Sequence, residues 1–192
     1  MTQLFTIGYA GHDRASFVEV LKQHQVTAVA DVRSMPKSSY WTDFDASVIK
    51  SWLKAQGIAY VYLGAELGAR RQCAESYEGE RVVYTKVFAE EAFLQGIQRL
   101  QNGMGRFNIA LMCAEKDPLV CHRTLLITRY LSTKMSISHI GGDGALETQE
   151  DLETRLMASH NVLPDLFRDR QTCLELAYQM QSQKHAHRQR DE

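Results

Sequence analysis

At 192 residues, 44% of them hydrophobic, the chain is long enough for one compact domain with a sizeable core. A formal charge of −1 argues against a strongly basic nucleic-acid coat protein. No apolar run approaches the roughly 20 residues that span a bilayer, and Met1 to Ala10 lacks the basic and apolar regions of a secretory signal. A cytoplasmic protein without membrane contact is expected, its four cysteines held as reduced thiols.

Short β-rich runs alternate with amphipathic stretches. Gln3 to Tyr9 reads as a strand, followed by a helix with Phe17, Val18, Leu21 and His24 at helical spacing. Val26 to Val32 is nearly continuous apolar sequence, as in a parallel strand covered on both faces. A helix follows, with Asp45 as N-cap and Gly57 just beyond its C-terminus. "IAYVYLG" is the third strand. A long polar segment, Ala65 to Glu80, precedes a helix expected from Val83 to Leu100. "FNIALMC" is the fourth strand, "HRTLLITRYLS" its helix and "SISHI" a short fifth strand; helical segments around Leu152 and from Leu166 to Met180 finish the chain. Such alternation predicts an α/β fold. It would be a single Rossmann-like domain over residues 1–182, with a mostly parallel sheet of about five strands and helices on both faces. Residues 183–192 read as a solvated tail.

Ligands of open parallel sheets sit at the carboxyl ends of the strands. Each strand here runs into unusual polar sequence at that end. The first gives Gly8 to His12, the second Asp31 to Lys37, the third Gly64 to Arg71, the fourth Cys113 to Arg123 and the fifth Gly141 to Gly144. These five segments are expected to converge on one rim.

The stretches "TIGYAGHDRASF", "ADVRSMPKS", "LGAELGARR" and "LMCAEKDPLVCHR" resemble, in order, a bacterial family catalogued as domain of unknown function 488. They span about residues 5 to 130. The third departs from the family pattern, with Ala69 where another glycine is common. The resemblance implies a Rossmann-like α/β fold and a shared site at the strand ends; it supplies no reaction.

The chemistry of the rim comes from its residues. In "KDPLVCHR", Asp117 followed by Pro118 fits an N-cap and the first helical position. Cys121 and His122 then fall near the first turn, where free N–H groups favour an anion or a thiolate. Arg123 adds a forked donor suited to phosphate or carboxylate. Cys121 reads equally as a small core filler and His122 as its hydrogen-bonded neighbour. Glu115 and Asp31, on a partly desolvated rim, are candidate general acids or bases, although Asp31 could instead pair with Arg33 or Arg123. Cys113 is a candidate nucleophile. Tyr9 and His12 stand where they could stack on or hydrogen-bond a ligand; Tyr40 and Trp41 add aromatic surface beside Lys37.

Arg33, Lys37, Arg70, Arg71, Lys116 and Arg123 crowd this rim in a chain that is nearly neutral overall. Unless they pair with Glu66, Glu75, Glu78 and Glu80, they attract an anionic ligand, either a small molecule or nucleic acid. No dinucleotide or P-loop signature and no nucleophile elbow is present. No cofactor is expected. Cys113, Cys121 and His122 form a possible metal pattern, but adjacent helical residues diverge by about 100 degrees, so no metal is expected either.

Three readings remain. The first is an enzyme using Glu115 or Asp31 for general acid–base chemistry on an anionic, nucleotide-like or nucleic-acid substrate, as a hydrolase or transferase. The second is a thiol enzyme built on Cys113 or Cys121. The third is a non-catalytic nucleotide or nucleic-acid binding module.

Overall fold

The computed structural model describes residues 3–38 and 40–189. Local sequence sets the helix ends. Asp13 accepts from the Ser16 N–H at 2.8 Å and Ser16 Oγ accepts from the Asp13 N–H at 3.1 Å, a reciprocal cap that starts α1 (Arg14–Gln23) after β1 (Gln3–Gly8). Gly57 has φ +76°, the left-handed conformation that closes α2 (Ala46–Ala55). Asp45 stands at the N-cap of α2, but its carboxylate accepts from the Ser38 N–H instead, at 2.7 Å.

Between these helices lies β2 (Ala28–Asp31), and β3 (Ala59–Tyr62) follows α2. Around the polar segment Ala65 to Glu80 lie a single-turn α3 (Gly64–Leu67) and a small antiparallel hairpin, β4 (Tyr77–Glu78) and β5 (Arg81–Val82). The helix expected over 83–100 is two helices, α4 (Tyr84–Val87) and α5 (Glu91–Met104). They separate at Glu90, whose extended backbone lets its carboxylate take hydrogen bonds from Arg71 and Ser76.

Next comes β6 (Ile109–Cys113), then a π-helical stretch, Arg123–Thr128, which runs into α6 (Arg129–Leu131). β7 (Ser136–Ile140) and β8 (Leu146–Thr148) lead into α7 (Gln149–Ser159). The last helix, α8 (Arg170–His185), starts later than the apolar pattern suggested, because Asp169 caps it by accepting from the Thr172 N–H at 2.7 Å.

The strands form a six-stranded sheet in the order β3-β2-β6-β1-β7-β8, parallel except for β8. The expected count of about five covers the parallel strands; three-residue β8 was missed. Alternate residues face opposite sides. Leu4, Ala30, Val32 and Leu111 pack in one core with residues of α5, α7 and α8. Phe5, Ile7, Val29 and Met112 pack in a second with residues of α1 and α2.

Register places Gly8 beside Cys113, Asp31 beside both Tyr62 and Met112, and Ile7 beside Ile140. Tyr9, Asp31, Gly64, Cys113 and Gly141 therefore share one sheet edge, as the alternation predicts. Asp31 and Cys113 share that edge but sit on opposite faces, since Met112 and not Cys113 lies beside Asp31.

The segment expected to be a solvated tail is docked as far as Gln189. The Val82 N–H donates to the His187 carbonyl at 3.0 Å, and the Gln189 N–H to Glu80 at 2.7 Å. The remainder of that tail, 190–192, lies outside the described residues.

Candidate functional site

On the α1/α2 face, Asp31 leaves the end of β2 fully buried and engaged. Arg33 donates to it from Nε at 2.9 Å and from Nη2 at 2.5 Å, and its backbone N–H adds a third contact at 3.1 Å. The Tyr60 hydroxyl donates at 2.7 Å, and burial, with the Asp31 charge beside it, pushes the phenol pKa up. Arg33 also reaches the Phe44 carbonyl and the Tyr9 hydroxyl, and Tyr9 stacks on Phe44 with ring centroids 4.5 Å apart. Both Asp31 oxygens and all three guanidinium nitrogens of Arg33 have partners here. Asp31, expected as a general acid or base, sits at the centre of a buried ion pair with Arg33; of the residues expected to bind substrate, Arg33 is engaged with Asp31 and Tyr9 with Arg33. His12 is also buried, edge-on to Phe17, and burial lowers its pKa.

On the other face, β6 delivers Cys113, and the chain then crosses the end of β1. The crossing is close: a Cβ on Gly8 would stand 1.8 Å from the Glu115 carbonyl oxygen, so only glycine fits. Asp117 caps a short turn, Pro118–Val120, accepting from the Leu119 N–H at 3.0 Å as expected. The turn ends at Cys121, which is extended at φ −120°, ψ 142°, so no continuous helix joins Asp117 to Cys121. Helical winding resumes at Arg123, and the Thr124 and Leu125 N–H groups both donate to the Cys121 carbonyl at 3.0 Å.

This break matters for the chemistry. Because Cys121 is not helical, its side chain and that of His122 do not diverge. Donor atoms of Cys113, Cys121 and His122 all lie within 4.8 Å of one another, and all three residues are buried. Adjacent helical residues rarely share an ion, but this conformation brings the donors of Cys121 and His122 together. His122 Nδ1 stands 3.7 Å from Cys113 Sγ and 3.8 Å from Cys121 Sγ, while Nε2 lies 2.8 Å from the Val32 carbonyl. A carbonyl can only accept, so Nε2 carries a hydrogen and, in the neutral ring, Nδ1 offers its lone pair to the thiols. Cys121 Sγ also lies 3.0 Å from Glu115 Oε2 and 3.5 Å from the Arg123 N–H.

Burial opposes the Cys121 thiolate, but contact with Cys113 and the charges of Arg123 and His122 outweigh it and hold its pKa well below the usual range. Cys113 moves the opposite way through its contact with Cys121 and its burial. Burial, reinforced by the Cys121 charge, pushes the Glu115 carboxyl up. For His122 burial lowers the pKa, yet the Cys121 charge prevails and raises it.

Arg123, expected as an anion clamp, is fully buried and turned inward. It donates from Nη1 to the Glu115 carbonyl at 2.6 Å and from Nη2 to the Lys116 carbonyl at 3.1 Å, so it fixes the loop that carries Glu115. Arg71 is likewise committed, to Glu90 and to the Glu66 and Gly68 carbonyls. Of the rim cations, Lys37, Arg70 and Lys116 are exposed. Lys116 lies against Gly142, in the loop that follows β7.

Apart from His12, buried beside Phe17, the expected site residues divide between a closed ion-pair cluster, a thiol–imidazole–carboxylate cluster on the opposite face, and three exposed cations. Sequence reasoning missed Tyr60, Glu90 and Tyr84. Tyr60 was within reach, since the alternation of "AYVY" puts it on the same face as Asp31; Glu90 gave no local signal. Tyr84 packs in the same core as Cys113 and Cys121 and forms one wall of a cleft of about 630 Å³ against α8, also lined by Arg81, Arg129 and Glu175. Among the described residues, no helix is long and apolar enough to cross a membrane.

Neither the curated proteins nor the solved structures contain a match to the chain. One family does match, described as domain of unknown function DUF488, over residues 13–130. That span takes in Asp31, Arg33, Gly64 and the whole of the Cys113 to Arg123 loop, and by it the chain belongs to the DUF488 family.

Proposed function

We propose that the chain is an enzyme working by general acid–base chemistry on an anionic substrate, with Glu115 carrying the proton. The observation behind this reading is the placement of the Glu115 carboxylate. It belongs to an exposed residue at the carboxyl end of a central strand, yet one of its oxygens turns inward to Cys121 at 3.0 Å. Its main chain is fixed by the Arg123 guanidinium and by the close passage over Gly8. A proton-transfer group needs this combination of solvent access and fixed position.

Lys116, Lys37 and Arg70 are the cations free to meet the substrate. Exposed Tyr40 and Trp41, near Lys37, offer planar faces on which a base could stack. These favour a nucleotide-like substrate within the anionic class. Screening turnover of nucleotides and oligonucleotides with wild type and Glu115→Gln tests the reading. Turnover by wild type and none by the variant is expected; equal rates would sink it. Binding without turnover would indicate a non-catalytic module.

A thiol enzyme is a second reading, favoured by the Cys121 thiol's contacts with a carboxylate and an imidazole. Activity lost in Glu115→Gln but kept in both Cys113→Ser and Cys121→Ser excludes it.

A further inference from the structure

We infer that Cys113, Cys121 and His122 form a binding site for one zinc-class divalent ion. The donor spacing argues for it first. A tetrahedral ion with sulfur at ~2.3 Å and nitrogen at ~2.0–2.1 Å holds those two donor types about 3.6 Å apart. His122 Nδ1 lies 3.7 and 3.8 Å from the two sulfurs. Those two N···S separations are close to what a shared ion requires, and all three donors lie within 4.8 Å of one another.

The imidazole orientation is the second, independent observation. Ligating histidines donate their other ring N–H to a carbonyl or carboxylate, which fixes the tautomer and aims the lone pair. His122 Nε2 is held by the Val32 carbonyl at 2.8 Å, so Nδ1 is the nitrogen presented to the sulfurs. Contact from the Arg123 N–H to Cys121 Sγ at 3.5 Å is the kind of outer support a bound thiolate receives.

The backbone explains how neighbouring residues reach one point. The turn after Pro118 stops at Cys121 and the π-helical stretch starts at Arg123, so Cys121 and His122 straddle a junction between two windings. Two soft sulfur donors and one imidazole suit zinc or cobalt rather than magnesium or calcium. Binding as two thiolates releases protons and leaves the ion neutral with its ligands. Three protein donors leave one position, and the Glu115 carboxylate borders the cluster, 3.0 Å from Cys121 Sγ. The ion site stands whether or not Glu115 carries a proton in catalysis.

The test uses full-length reduced protein, stripped of metal and titrated with cobalt(II) and then zinc(II). One equivalent of cobalt should produce thiolate-to-cobalt charge-transfer absorption and the intense visible bands of a tetrahedral ion, and zinc should displace it. X-ray absorption of the zinc form should give two sulfur neighbours at ~2.3 Å and nitrogen at ~2.0–2.1 Å. Cys113→Ser and Cys121→Ser should each lose these signals and Cys73→Ser should keep them. Where a cysteine variant fails to fold, the wild-type absorption spectrum alone decides. No charge-transfer band in reduced wild type, or a coordination shell without two sulfurs, overturns the inference.

Glu115→Gln separates this inference from the proposed function. If the variant binds cobalt with unchanged spectra, the site needs only the three named donors. If it loses the ion, the cluster is a metal site with Glu115 as its fourth ligand, and the proton-carrying role falls. If wild type binds no ion yet turns over substrate, the metal inference falls and the acid–base reading stands.

Discussion

Asp31 and Cys113 leave neighbouring parallel strands at the same sheet edge, yet the groups around them are built differently. Around Asp31 every polar atom is paired at ordinary hydrogen-bond distance by Arg33, Tyr60 and the backbone. Around Cys113 the imidazole stands off the two sulfurs at 3.7 and 3.8 Å, and polarity is concentrated in groups able to lose or share a proton. A closed network of the first kind rigidifies a fold. The second kind sets against one another groups whose charges shift each other's protonation. At this edge one group is closed by direct charged hydrogen bonds, and the other gathers titratable groups around two sulfurs.

The largest expected effect attacks the scaffold side. Asp31→Ala leaves the Arg33 guanidinium buried without its partner, which should lower unfolding free energy by about 3–5 kcal/mol in urea titrations. A loss below 1 kcal/mol would show that the closed network is dispensable, and the contrast would collapse.

Arg123→Ala should cost about 3 kcal/mol, because two main-chain carbonyls lose charged donors. Phosphate should not stabilise wild type through this residue, since the guanidinium faces inward; a phosphate-dependent rise in melting temperature that vanishes in Arg123→Ala would reverse that assignment.

A similar magnitude is expected from acid. Buried His139 lies between the Thr6 hydroxyl and Gln149, at 2.9 and 3.0 Å, and burial lowers its pKa from 6.5 to about 4. The folded state resists a proton that the unfolded chain accepts. Stability from this group is therefore complete above pH 6.5, falls as pH drops from 6.5 towards about 4, and is lost below. The whole loss is about 3 kcal/mol at 1.36 kcal/mol per pH unit. His139→Asn should flatten the wild-type slope across that window, and an unchanged slope would assign the acid sensitivity to other groups.

Smallest is the effect of Glu115→Gln on folding. Stability should stay within about 0.5 kcal/mol of wild type by thermal melting, as for exposed positions generally. A drop of several kcal/mol would place Glu115 with the scaffold and sharpen the boundary between the two groups in the other direction.

Much of the fold was legible because apolar runs buried on both faces, such as "VTAVADV" and "FNIALMC", have no other reading when helices alternate with them. The shared edge followed from the same pattern. Ion pairing was legible only when local: Arg33 and Asp31 are two residues apart, whereas Arg71 and Glu90 are brought together by the break between α4 and α5. The thiol cluster was misread for a related reason. Its geometry depends on one extended residue, Cys121, inside a segment whose composition reads as helix. Arg123 was placed on the correct loop but given the wrong target, since composition does not distinguish a bound anion from a backbone carbonyl.

The docking of the chain's end has a consequence for synthesis. The β4–β5 hairpin, next to the helix that carries Tyr84, completes its hydrogen bonding only with residues near 188, about a hundred positions later. At ~5–20 residues per second, the hairpin waits about 5–20 s on the ribosome for that partner. For that interval Val82 lacks Ala186 in the core that both share with Cys113 and Cys121, and the nascent chain carries its cysteines in a half-assembled core.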